Sequence, residues 1–129
     1  MEHKTYLGNP LLKAANQKQR FTKKQVTEFV KCQENPVYFI ENYIKIVTLD
    51  TGLQPFKMYQ FQREMIDTFH DNRFTICKLP RQSGKSTTII SYLLHYAIFN
   101  ANINVAILAN KAQIARDLLG RLQLAYENL

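Results

Sequence analysis

The chain has 129 residues, the size of one modest domain. Its 17 Lys+Arg against 10 Asp+Glu leave a net charge of +7, and 46% hydrophobic residues argue against a disordered tail. No apolar run approaches the roughly 18 residues that span a bilayer, which excludes a transmembrane helix. The start, MEHKTYLGNP, has no apolar segment after its charges and so does not read as a secretory signal. Cys32 and Cys77 stand far apart without ligand spacing, which sets aside a disulfide scaffold and a zinc site.

Charge is concentrated at the front. Residues 1–31 hold seven bases and two acids, whereas the remaining 98 residues hold ten bases and eight acids. Residues 1–20 have no clear period and a Gly8-Asn9-Pro10 turn, and read as a flexible basic arm. Such a segment attracts nucleic acid or another polyanion. Its lysines lack interleaved aromatics and serve equally well as a solvated face.

Helical order starts at Phe21. Thr22 with Gln25 forms a capping-box pattern, flanked by Phe21 and Val26 at the staple positions. Val26, Phe29 and Val30 make one apolar stripe, so a helix to about residue 33 is expected. Asn35-Pro36 is a second helix start, with Val37, Ile40, Ile44 and Val47 on one face and Asp50-Thr51-Gly52 as the stop. A third helix is expected from Tyr59 to about His70, through Phe61, Met65 and Phe69. Residues 21–71 thus form a helical leader.

Residues 72–129 change character. Phe74 to Leu79 (FTICKL) is short and rich in branched and aromatic residues, which predicts a strand. Pro80 to Ser83 is a loop, and Lys85 to about Phe99 has helical length. Val105 to Ala109 (VAILA) is a continuous apolar run, the pattern of a strand buried on both faces of a parallel sheet. Ile114, Leu118, Leu122 and Leu124 support a last helix from Lys111. Strand, loop, helix, strand and helix in that order predict an α/β fold with a right-handed crossover.

The chemistry sits at Pro80-Arg81-Gln82-Ser83-Gly84-Lys85-Ser86-Thr87. Gly-Lys-Ser between an apolar strand and a helix is the core of a phosphate-binding loop. A helix N-terminus offers unpaired amides and the positive end of a dipole. Gly84 lets the backbone approach phosphate without a Cβ, Lys85 reaches the β- and γ-phosphates, and the Ser86 hydroxyl joins a Mg2+ shell. The general pattern wants glycine at position 79, where this chain has Leu79. His3, His70 and His95 are scattered, and His95 reads as a packing residue on the helix that follows the loop.

Pro-Arg-Gln-Ser-Gly-Lys-Ser resembles the deviant phosphate-loop motif of the large terminase subunits, the DNA-packaging ATPases of tailed bacteriophages. The segments Asn35-Pro36-Val37-Tyr38-Phe39-Ile40 and Pro55-Phe56-Lys57-Met58-Tyr59-Gln60-Phe61-Gln62 are similar to the leader of the T-even-like members. Val105 to Lys111 is similar to the strand and polar turn that follow the motif helix there. The resemblance covers about residues 21–129 and implies a P-loop NTPase of RecA-like fold, here a truncated core, with ATP and Mg2+ as cofactors. It implies that Arg81 acts on the γ-phosphate, where a permanent guanidinium offsets charge in the transition state. It also implies that Gln62 reads adenine, since one amide both donates and accepts. Gln60 competes for that contact. Tyr59 and Phe61 offer stacking faces but sit at helical spacing, which favours core. Asn110-Lys111 reads as a DNA contact or a plain turn.

The family further implies double-stranded DNA, a portal and a small terminase subunit as partners, and the host cytoplasm as the place of work. An ATPase of this class needs an apolar strand ending in Asp-Glu, yet the only acids after Ser86 are Asp117 and Glu127. The expected object is therefore the front of a larger packaging ATPase that binds nucleotide without turning it over. The alternatives are a helicase-like P-loop fragment and a non-catalytic module for nucleic acid or protein. With later strands missing, the two strands pair directly, recruit a second copy, or leave an edge open, so self-association is expected.

Overall fold

A computed structural model describes residues 5–6, 9–13, 20–48 and 52–129. Most of the segment read as a basic arm lies outside the described residues. Within it, β1 (Thr5–Tyr6) and β2 (Asn9–Lys13) pair antiparallel.

Helix α1 (Lys23–Glu34) begins where its cap dictates. Thr22 Oγ1 accepts from the Gln25 amide at 3.3 Å, and Gln25 Oε1 accepts from the Thr22 amide at 2.9 Å. Two amides that the helix cannot satisfy are thereby paired. Thr22→Ala is expected to lower stability by about 0.5–2 kcal/mol, read as a shift in the denaturant midpoint. An unchanged midpoint would refute the cap's contribution.

Helix α2 (Pro36–Tyr43) is capped by Asn35, whose Oδ1 accepts from the Tyr38 amide at 2.9 Å, with Pro36 in the first turn. It stops well before Val47. The chain leaves the helix at Ile44 and enters β3 (Lys45–Thr48), which pairs antiparallel with β4 (Gly52–Pro55) in the register Ile46↔Gln54 and Val47↔Leu53. Ile44, Ile46, Val47 and Thr48 are β-branched, and a partner strand lies within hairpin reach, so strand geometry overrides helical spacing. The stop at Asp50-Thr51 lies outside the described residues. Helices α3 (Gln60–Asp71), α4 (Lys85–Phe99) and α5 (Ala112–Glu127) complete the chain.

The α/β, RecA-like core expected from the sequence is not the fold. Five helices carry the structure, and the described strands form only two-stranded antiparallel pairs. Phe74–Leu79 and Val105–Ala109, read as parallel strands, adopt no ladder. No backbone hydrogen bond joins either segment to any other described residue. Phe74 is 82% exposed, Ile76 99% and Leu108 88%. A strand takes its hydrogen bonds from neighbours, and a lone pair of strands is marginal in water. Without flanking strands among the described residues, neither segment has a sheet to join.

The core lies instead between helices. Phe39, Ile40 and Ile44 of α2 and its cap meet Phe56 and Met58 of the link to α3, Ile66 of α3, Leu94 of α4 and Ala125 of α5. The α1 stripe Val26, Phe29 and Val30 stays about half exposed, with the Phe29 ring against Phe99 of α4, and only Cys32 of that helix is buried. No helix of the described residues is long and apolar enough to cross a membrane.

His95 of α4 is buried in this core, in a three-ring cluster with Phe39 and Phe99, which also touch each other edge to face. Its Nε2 lies 2.9 Å from the Cys32 carbonyl oxygen. A carbonyl only accepts, so Nε2 carries the proton and Nδ1 is the bare nitrogen. Nδ1 is buried without a hydrogen-bond partner. Burial holds the His95 pKa below its ordinary 6.5, against the opposing pull of the Cys32 carbonyl. The unfolded chain therefore binds a proton that the folded chain resists. Stability from this group is present above pH 6.5 and is lost as pH falls below it toward the folded value. Denaturant midpoints taken from about pH 7.5 to about 5.5 should decline, and His95→Gln should flatten that decline.

Candidate phosphate-binding site

The loop between the unpaired segment Phe74–Leu79 and α4 is built from left-handed turns. Gln82 has φ 61° and Gly84 φ 75°. A non-glycine residue at positive φ is strained, and such residues gather where a backbone must curl around a ligand. Successive amides in a turn of this kind form a concavity for anions.

Gly84 is the N-cap of α4 and contributes no side-chain cap. The helix's first backbone bond runs from the Thr88 amide to the Gly84 carbonyl, at 3.1 Å. The amides of Lys85, Ser86 and Thr87 therefore have no backbone acceptor among the described residues. Ser83 Oγ, just before them, is buried with no hydrogen-bond partner. An unsatisfied hydroxyl beside three free amides is costly unless a ligand or water completes it.

Lys85 is turned back on its own loop. Its Nζ donates to the Pro80 carbonyl at 3.0 Å, which places the cation over residues 80–85. Arg81 is exposed in the turn, and Ser86 and Thr87 are partly buried in the first turn of α4.

Gln62 is brought to this loop from the start of α3. It is 2% exposed, and its Oε1 accepts from the Tyr59 amide at 2.9 Å. Its Nε2 lies 2.7 Å from the position a Cβ on Gly84 would take. Glycine at 84 thus answers two demands, the left-handed turn and the close approach of Gln62. Gly84→Ala is expected to cost at least about 1–2 kcal/mol of stability from the backbone alone, measurable by denaturant unfolding. A wild-type midpoint for that variant would show that neither demand is real. Gln60 points elsewhere: its Nε2 donates to Glu64 at 3.3 Å on the exposed face of α3.

A cleft of about 710 Å³ opens between the loop, the start of α3 and the β3–β4 hairpin. Gln82, Ser83, Gly84 and Thr87 form one wall, and Tyr59, Phe61 and Gln62 another. The Tyr59 and Phe61 rings lie nearly parallel, 9° apart with centroids separated by 6.0 Å. Tyr59 is 71% exposed, so it is not the core residue that helical spacing suggests. Thr48, Gln54 and Lys57 line the far wall. Helical spacing misses these three because it continues α2 through Val47. The β-branched run ahead of Asp50-Thr51-Gly52 is the signal for a hairpin.

Among the described residues no group of three or more His, Cys, Asp or Glu is placed to hold a metal. Of the loop residues, Ser86 has a hydroxyl in the first turn of α4 that a Mg2+ bound beside phosphate would find as a single protein oxygen, the rest of such a shell being phosphate and water. No protein-family model matches the chain.

Proposed function

We propose that the chain binds ATP with Mg2+, as the nucleotide-holding part of a terminase-like DNA-packaging ATPase. The observation that carries this reading is the head of α4. Three free amides and the unpartnered Ser83 hydroxyl adjoin a cleft with exposed aromatic faces. The α- and β-phosphates take the amides of residues 84–87, where the helix dipole favours negative charge. Lys85 exchanges the neutral Pro80 carbonyl for phosphate oxygen, a stronger, charge-assisted partner. Arg81, exposed in the same turn, is within the loop that meets the γ-phosphate. The base lies in the cleft against Tyr59 or Phe61, with the Gln62 amide at its edge.

In the complete packaging machine, hydrolysis drives double-stranded DNA into the capsid in the host cytoplasm, with portal and small terminase subunit as partners. The PRQSGKS segment and the Tyr59–Gln62 segment support that assignment. Calorimetric titration of the chain with MgATP tests the reading. Saturable heat at micromolar nucleotide is expected, with ADP also binding and adenosine alone much weaker. No saturation with either nucleotide would overturn it.

A further inference from the structure

Two segments of this chain combine exposed apolar side chains with unpaired backbone, residues 74–79 and 103–109. They differ in charge. Residues 73–81 (RFTICKLPR) carry three cations and no acid, whereas residues 103–109 (INVAILA) carry no charge at all. Seven uncharged residues without Gly or Pro, most of them branched or apolar, have the composition that adds strand to strand. Unpaired amides and carbonyls on such a segment are a template for another chain.

We propose that residues 103–109 form an antiparallel two-stranded ribbon with the same residues of a second copy, making a symmetric dimer. Self-pairing centred on Ala106 sets Val105 against Ile107 of the other copy and Asn104 against Leu108. Every cross-strand pair is then free of like charge, which destabilises directly opposed residues. The same pairing of residues 73–81 would gather six cations on one ribbon, in a chain already at +7. The uncharged segment is thus the one a second copy can approach. A receiving surface is present beside it. A cleft of about 210 Å³ lies between Val105 and Ile107 on one side and Ala115, Arg116 and Leu119 of α5 on the other. The added strand's Val105 and Ile107 fall on this face, while Leu108, 88% exposed, lies on the opposite face and gains Asn104 of the other copy as its cross-strand neighbour. The contact is isologous and closes at two copies. It involves no residue of the phosphate loop and does not rest on nucleotide binding.

Sedimentation equilibrium of the full chain across the micromolar range is the test. A reversible monomer–dimer equilibrium is expected, with an intermolecular β component in the amide infrared band that grows with concentration. Leu108→Lys acts twice in a symmetric ribbon and should raise the dimer dissociation constant at least about tenfold. Ala106→Pro removes a central amide and should do the same. Both sites lie outside the helices, so helical circular dichroism should match wild type. Ile76→Lys, on the cationic segment, should leave the dimer intact. A chain that stays monomeric, or a dimer that resists both Leu108→Lys and Ala106→Pro, overturns the proposal. So does a dimer lost with Ile76→Lys but kept with Leu108→Lys.

Discussion

Purified chain should bind MgATP yet release phosphate at a rate near background, with or without DNA. Arg81 and Lys85 can offset charge on the γ-phosphate, but hydrolysis also needs a group that orients and deprotonates water. After Ser86 the chain offers only Asp117 and Glu127, both on α5. Their side chains are occupied locally: Gln113 Nε2 donates to Asp117 at 2.8 Å and Gln123 Nε2 to Glu127 at 3.0 Å. Loss of a general base typically forfeits ~10²–10⁴-fold in rate, before the missing magnesium carboxylate is counted. Phosphate release is the measurement, with Lys85→Ala as the control for contaminating activity. Turnover of about one per second that vanishes in that variant would show that a carboxylate completes the site, from α5 or from a second copy.

Lys85→Ala should weaken ATP and ADP binding by about 1.5–3 kcal/mol, the worth of a hydrogen bond to a charged group. In the free chain the ammonium holds the exposed Pro80 carbonyl, a bond given up on binding, so the loss falls toward the low end of that range. Phosphate, being charged, is the better partner. The substitution removes no core contact, because the Lys85–Pro80 bond is exposed and local. Unfolding midpoints of the two proteins should therefore agree while their calorimetric affinities differ. Equal affinities would sink the assignment of Lys85 to phosphate.

Both expectations depend on a site that is only partly legible in the amino-acid sequence. The loop 80–87 stands out because its chemistry is local, with glycine, lysine and hydroxyl on consecutive residues at a helix start. The other half of the cleft is not legible in this way. Gln62 and Tyr59 reach the loop only because α3 packs beside α4 through the shared core of Ile66 and Leu94. Nothing in the spacing of Tyr59, Phe61 and Gln62 tells which ring stays exposed or that the Gln62 amide turns back to cap its own helix. Resemblance points to Gln62 as a reader of adenine. The structure places its Oε1 on the Tyr59 amide and its Nε2 against Gly84, so the same side chain also props the loop.

The division between what local sequence determines and what packing decides follows the range of the interactions. Thr22 with Gln25, and Asn35 with Pro36, start their helices because every partner lies within three or four residues. Gly84 starts α4 for the same reason, since a positive φ is a property of one residue. Strands obey a different rule. Ile44 to Thr48 carries helical spacing and β-branched content at once, and the antiparallel partner Gly52–Pro55 settles the conflict. Phe74–Leu79 and Val105–Ala109 have strand composition but remain unpaired, because no described strand lies beside them to supply ladder bonds. Composition establishes that a segment is suited to a sheet, and only the presence of a neighbour makes it one.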